Sequence, residues 1–307
     1  MTPQRGGQAA TETGRESFFA EVGDGITLCY ETFGDPTHPP VLLVMGLGMQ
    51  LLGWDARFCQ MLADRGFHVV RFDNRDTGLS TSIDGPVPSI RQLTVRRFAS
   101  SQYDLGDMAG DALGLLRELG LAPAHVVGAS LGGMVAQTMA ARAPQDVRTL
   151  TSIMSTTGHR LKGQPTPSRY RFLLRPAPRE RAAYLDHTVT LWRAIGSPAF
   201  DVDESAVRER AGRAFDRARN PAGTARQMAA VLKSGDRTRE LRRITAPTLV
   251  IHGTADTLVR PSGGKATAAA INGADLMLIE GMGHDLPPQV WERILDAVAE
   301  LAHRYDS

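Results

Sequence analysis

Three residues able to share one reaction stand in this chain in the order serine, acid, histidine, each just past a short apolar run. Ser130 is the centre of Gly128-Ala129-Ser130-Leu131-Gly132, after the run Ala124-His125-Val126-Val127 and before the helix-like run from Gly133 to Ala140. Asp256 lies in His252-Gly253-Thr254-Ala255-Asp256-Thr257, after Pro247-Thr248-Leu249-Val250-Ile251. His284 ends Glu280-Gly281-Met282-Gly283-His284, after the run from Ala274 to Ile279. A serine hydroxyl is a poor nucleophile until a base takes its proton and a third group orients that base. The set therefore points to acyl transfer, with Ser130 as nucleophile, His284 as base and Asp256 as the orienting acid.

A G-x-S-x-G between a strand and a helix is a sharp turn whose central residue is lifted clear of the sheet with φ above zero. Side chains two residues to either side would collide, so Gly128 and Gly132 are needed where they stand. Gly133 adds a further small contact where the helix must pass close to the strand. The oxyanion of a tetrahedral intermediate needs two backbone donors. One is expected from Leu131, next to the nucleophile. The other is expected from Leu47, in the loop Gly46-Leu47-Gly48-Met49 that follows Val41-Leu42-Leu43-Val44-Met45. Asp285 adjoins His284, but sequence neighbours rarely aim a carboxylate at each other's imidazole. His252 ends a buried strand and reads as a packed or supporting group, and His68, His125 and His303 carry no chemistry in this reading.

The elements that must hold these residues follow from the pattern of the chain. Residues 1–16 read as a flexible polar tail. Phe18 to Val22 and Ile26 to Phe33 form a strand pair joined through Gly23-Asp24-Gly25. Strands then alternate with helices: a strand from Phe67 to Phe72, an amphipathic helix from Leu105 to Leu119, the strand into Ser130, the helix after it, and a strand from Val147 to Ile153. That alternation predicts an α/β fold with a mostly parallel central sheet flanked by helices. From about Met154 to Glu240 strand signals vanish, and helices such as Arg179 to Ile195 and Ser205 to Arg219 take over. Residues 17–153 and 241–307 are thus expected to form the core and 154–240 an inserted helical cap. No internal repeat is present.

Between His159 and Glu240 stand 17 Lys and Arg against nine Asp and Glu, on a chain whose net charge is +2. Solvated helix faces are the plainer reading of this excess, and steering of anionic substrates the sharper one. The cap also supplies Tyr170, Phe172, Leu173, Tyr184, Leu191, Trp192, Phe200 and Phe215. Met45, Met49, Met134, Met154 and Met282 fall near strand ends or the helix after Ser130. Methionine adapts to irregular apolar space, so an apolar acyl or alcohol pocket is expected, with Met45, Met49, Met154, Trp192 and Met282 as substrate contacts.

The 307 residues, 42% hydrophobic, suffice for a substantial core. Near-balanced charge argues against nucleic acid as the main partner. Cys29 and Cys59 are too few for a disulfide framework and sit in no metal-type cluster. The start lacks the apolar stretch of a signal peptide, and no run approaches a membrane span. The expectation is a cytoplasmic protein, monomer or homodimer, acting on a small-molecule ester with no metal or organic cofactor.

These motifs resemble the α/β-hydrolase family over nearly the whole chain. The marks are Val44-Met45-Gly46-Leu47-Gly48, the stretch Arg71-Phe72-Asp73-Asn74-Arg75-Asp76-Thr77-Gly78-Leu79-Ser80, the turn at Ser130, Gly253-Thr254-Ala255-Asp256 and Gly281-Met282-Gly283-His284. Within the family, the Asp73-to-Ser80 stretch and the ending Gly281-Met282-Gly283-His284-Asp285-Leu286-Pro287 look like the bacterial carboxylesterase group that contains aclacinomycin methylesterase. The resemblance implies a serine hydrolase for small to medium, largely apolar esters, methyl esters among them. Some relatives draw the acid from the loop after the sixth strand, but Ile153-Met154-Ser155-Thr156-Thr157 offers no carboxylate. Many relatives have His-Gly where this chain has Met45-Gly46, so the oxyanion loop is more apolar here. The same three residues could also serve cofactor-free perhydrolysis of the haloperoxidase type, thioester cleavage, lactone opening or carbon–carbon hydrolysis. A non-catalytic ligand-binding role is the alternative from another class.

Overall fold

A computed structural model describes residues 9–10, 16–170, 172 and 177–306. Among them the strands are β1 (Ala9–Ala10), β2 (Glu16–Gly23), β3 (Ile26–Phe33), β4 (Pro40–Val44), β5 (His68–Phe72), β6 (Ala124–Ala129), β7 (Val147–Ile153), β8 (Thr248–Gly253) and β9 (Asp275–Ile279). They form one sheet in the order β1-β2-β3-β5-β4-β6-β7-β8-β9. β1, β2 and β3 are antiparallel to one another and β3 to β5, while every pairing from β5 across to β9 is parallel.

The inner strands are buried along their length, as a parallel sheet covered on both faces requires. Along β4, Leu42 and Val44 join one core cluster with the helices α3 (Leu105–Glu118) and α4 (Leu131–Arg142). Val41 and Leu43 join the opposite cluster with α1 (Ala56–Ala63) and the helix Trp291–Arg304. The period of two, set against flanking helices, therefore fixes two cores on either side of one sheet.

The expected hairpin between β2 and β3 forms, with Asp24 and Gly25 at φ of 52° and 71°. Most of the stretch expected as a tail lies outside the described residues, as does Leu173, but Ala9 and Ala10 pair with Ser17 and Glu16.

Between β7 and β8 the described residues hold helices joined by loops and no strand. The two helices expected there form as α5 (Arg181–Ile195) and α6 (Glu204–Arg217), capped by the Glu180 and Asp203 carboxylates. A third helix, α7 (Pro221–Ser234), was not expected from the pattern. It starts from an Asn220 side chain accepting from Gly223 N–H, with Pro221 in the first turn. Below these helices lies the Asp73-to-Ser80 stretch, and each of its charges is spoken for. Buried Asp73 accepts from Arg217 of α6 at 2.6 Å, Arg75 pairs with Asp111 of α3, and buried Asp76 holds Arg226 of α7 through two hydrogen bonds of 2.6 and 2.8 Å. Two residues of the basic excess read from the sequence are thus internal. Arg217 and Arg226 reach down into core acids rather than out into water.

Candidate active site

Ser130 follows β6 directly and precedes α4, with φ 56° and ψ −117°. A non-glycine residue in that region stores on the order of 1–3 kcal/mol of strain, held only because its surroundings over-determine it. Here Ser130 N–H donates to the Ile153 carbonyl at 2.9 Å, and the Ser130 carbonyl accepts from the Ser155 hydroxyl at 2.8 Å. The glycines behave as the steric argument requires. A Cβ on Gly128 would strike the Gly132 carbonyl, and one on Gly132 would strike the Val44 carbonyl. At Gly133 the close neighbour is the Ser155 side chain, from the loop after β7.

Asp256 lies just past β8 and His284 just past β9, at the same end of the parallel strands as Ser130. The three side chains meet in one line. His284 Nδ1 is 2.7 Å from Asp256 Oδ2, and His284 Nε2 is 3.0 Å from Ser130 Oγ. The other oxygen of Asp256 accepts from Leu258 and Val259 N–H at 2.9 and 2.8 Å. Burial pushes the Asp256 carboxyl upward, but the charge and hydrogen bonds of His284 and His252 outweigh it and hold it at about 2. An ionised Asp256 can only accept, so Nδ1 of His284 carries the proton and Nε2 offers its lone pair to the Ser130 hydroxyl.

His252 is a buried support. Its Nε2 lies 2.7 Å from the Val259 carbonyl and 3.5 Å from Asp256 Oδ2, which puts its proton on Nε2 and a second partial donor on the acid. Asp285 turns away from the imidazole and accepts from the Ser197 hydroxyl, which in turn accepts from Gly283 N–H at 2.8 Å. The loop bearing His284 is also tied to the helical segment, since His284 N–H donates to the Ile195 carbonyl at 2.7 Å.

Leu131 is the first residue of α4, where an N–H has no partner within the helix and sits at the positive end of the helix dipole. Leu47 lies in a tight turn closed by Met49 N–H to the Gly46 carbonyl at 3.2 Å, with Gly48 at φ 63°. The turn adjoins the serine: a Cβ on Gly46 would lie 3.4 Å from Ser130 Cβ. Asn74 Nδ2 donates to the Met45 carbonyl at 3.1 Å, so the Asp73-to-Ser80 stretch braces this loop as well as the helices above it.

Of the expected substrate contacts, Met45, Met154 and Met282 are buried and join the core cluster that includes residues of β4, β6 and β8. Met154 has a left-handed φ of 43° and donates its N–H to the Ile251 carbonyl. Met49 and Trp192 keep exposed surface, and the Arg210 guanidinium sits 5.6 Å over the Trp192 ring. Sequence reasoning missed Gln227 of α7. Its side chain is fully buried, accepts from Gly48 N–H at 2.8 Å, and donates to the Arg75 carbonyl and Thr77 Oγ1 at 2.8 and 2.7 Å. The Asn220-Pro221 start of α7 was the available signal for the helix; the role of its amide was not encoded locally.

Among known proteins, the alpha/beta hydrolase fold family matches residues 39–288. The chain is 32% identical over 302 residues to the rhodomycin D methylesterase of Streptomyces peucetius, covering 90% of this chain and 95% of that one. It is 33% identical over 302 residues to the rhodomycin D methylesterase of Streptomyces sp. strain C5, covering 90% and 94%. A crystal structure of a hydrolase from Pseudomonas aeruginosa superposes with a TM-score of 0.69 at 28% identity, covering 94% of this chain and 97% of that one.

Proposed function

The chain belongs to the α/β-hydrolase family and is a carboxylic ester hydrolase, and from that premise we propose that Ser130, His284 and Asp256 are its nucleophile, base and orienting acid. The observation that carries this reading is the continuous line from Asp256 Oδ2 through the imidazole to Ser130 Oγ, at 2.7 and 3.0 Å. As Ser130 Oγ attacks the ester carbonyl carbon, its proton passes to His284 Nε2 and the carbonyl oxygen takes the negative charge. The N–H groups of Leu131 and Leu47 receive that charge. His284 then gives its proton to the leaving alcohol as the carbon–oxygen bond breaks, leaving an acyl-enzyme on Ser130. Water, deprotonated by His284, attacks the acyl carbon, and His284 returns that proton to Ser130 Oγ as the acyl–oxygen bond breaks and the acid leaves. Throughout, Asp256 stays ionised, holding the productive tautomer and offsetting the imidazolium charge.

The substrates in this reading are small to medium, largely apolar esters, methyl esters among them, because both methylesterase relatives match along nearly their whole length. Residues 154–240 act as a cap over the site, and Met45, Met49, Met154, Trp192 and Met282 supply the apolar contacts to the substrate. Hydrolysis of p-nitrophenyl esters from acetate to palmitate, with wild type beside Ser130→Ala, tests the assignment. Activity should peak at short or medium chains and fall by at least about 10⁴-fold in the folded variant. Residual turnover above about one per cent of wild type would overturn Ser130 as the nucleophile.

A further inference from the structure

We infer that Gln227 is a positioning residue for oxyanion stabilisation, clamping from α7 the turn that carries Leu47; this rests on the reading of Leu47 as an oxyanion donor given above. The central peptide of a four-residue turn can flip between two states that differ in where its N–H and carbonyl point. In the turn Gly46-Leu47-Gly48-Met49 that peptide joins Leu47 to Gly48, and its N–H is the one that donates to Gln227 Oε1 at 2.8 Å. The partners fix which end of the amide is which. Gly48 N–H can only donate and the Arg75 carbonyl can only accept, so Oε1 faces Gly48 and Nε2 faces Arg75 and Thr77.

Oε1 and both Nε2 hydrogens of this fully buried amide are engaged. One helical turn earlier, Thr224 closes the same gap: a Cβ on Gly48 would lie 2.6 Å from Thr224 Oγ1. Gln227 thereby adds to the Asn74–Met45 bond a second tie between the turn after β4 and the Arg75-to-Thr77 stretch after β5. Without it, the Leu47–Gly48 peptide can turn about Leu47 ψ and Gly48 φ, and the adjoining Gly46–Leu47 peptide, which carries the Leu47 N–H, loses the fixed neighbour that holds its aim beside Ser130. Preorganised donors act because they need no rearrangement during the reaction, so loosening one costs rate rather than ground-state binding.

The test compares Gln227→Met, which keeps length and apolar bulk, with Gln227→Glu, which keeps an acceptor toward Gly48. In steady-state ester hydrolysis Gln227→Met should lower kcat about 10- to 100-fold with KM within about twofold. Gln227→Glu should keep clearly more of kcat. Labelling of Ser130 by a fluorophosphonate should slow in parallel with kcat. Thr77→Val, which removes one of the two acceptors of the amide, should cost kcat a few-fold and serves where Gln227→Met fails to fold. Unchanged kcat in folded Gln227→Met or Thr77→Val, or a loss confined to KM or to thermal stability, would overturn the inference. Ser130→Ala run alongside separates the two readings. Activity surviving there removes the nucleophile assignment itself, whereas activity lost there but intact in the Gln227 variants removes only the role of Gln227.

Discussion

The strand-end loops that bring Ser130, Asp256 and His284 together and the helical segment between β7 and β8 are held by different physics. In the core, position is set by the backbone. Ser130 is placed by a strained turn between β6 and α4 that two glycines make possible, and Asp256 and His284 by the ends of adjacent parallel strands. Above the core, position is set by side chains reaching across long stretches of sequence. Arg217 and Arg226 grip Asp73 and Asp76, 144 and 150 residues away, and Gln227 grips Gly48 at a separation of 179. A glycine rule is local and general, whereas a buried ion pair is a private agreement between two distant residues. The core should therefore tolerate no change of size at its turn, while the helical segment should tolerate changes of size but not the loss of one charge from a pair.

Substituting Gly132 by alanine attacks the first half of that comparison and should have the largest effect. The added Cβ meets the Val44 carbonyl, which is main chain of an inner strand and cannot swing aside. Either β4 shifts, carrying the Leu47 turn with it, or α4 does, carrying Leu131. A loss of more than about 4 kcal/mol in denaturant unfolding is expected, with activity abolished in whatever remains folded. A variant with wild-type stability and activity would show that the turn is not sterically closed.

Arg226→Met attacks the second half. It leaves Asp76 buried, still accepting from Tyr103 Oη at 2.9 Å and Ile83 N–H at 2.9 Å, but without its cation. Removing one partner of a buried pair typically costs about 3–5 kcal/mol, because the stranded charge must be protonated or hydrated. The double variant Arg226→Met with Asp76→Asn should recover part of that loss, since no bare charge then remains. Additive losses in the double variant would mean the two residues act independently, and the fastening role of the pair would fall.

This division also accounts for what the sequence could reveal. Ser130, Asp256 and His284 were legible because each depends on short-range pattern: apolar run, turn, glycine. The alternation of strands and helices and the mostly parallel sheet follow from periodicity of the same kind. The Asp73-to-Ser80 stretch was visible only as a family mark, because what its acids do is decided by arginines found after the chain has folded back. Helix α7 was not singled out although Asn220 and Pro221 announce it. The methionines were legible as apolar but not as to depth; how far each is buried depends on how closely the helical segment and loops settle, which no periodicity reports.

The smallest expected effect tests the charged end of the hydrogen-bonded line from Asp256 to Ser130, where backbone and side-chain control meet. In the folded protein Asp256 sits at about 2, below its usual value of 3.8, held there by His284 and His252 against the cost of burial. A carboxyl with a depressed folded value stabilises the protein when ionised. That contribution is complete above the unfolded value and drains away as pH falls toward the folded one. Between about pH 4 and pH 2 the wild type should therefore lose on the order of 2 kcal/mol through this residue alone. Asp256→Asn removes the titration while keeping shape, so the unfolding free energy of the variant should fall less steeply across that window than that of wild type. Parallel curves would mean that Asp256 is not held ionised by its two histidines. The tautomer argument for His284 would then lose its anchor, since a neutral acid could donate to Nδ1 instead of accepting from it. A steeper wild-type curve, together with a large loss of kcat in Asp256→Asn near neutral pH, would tie the stability of the loop after β8 and the orientation of the base to the same negative charge.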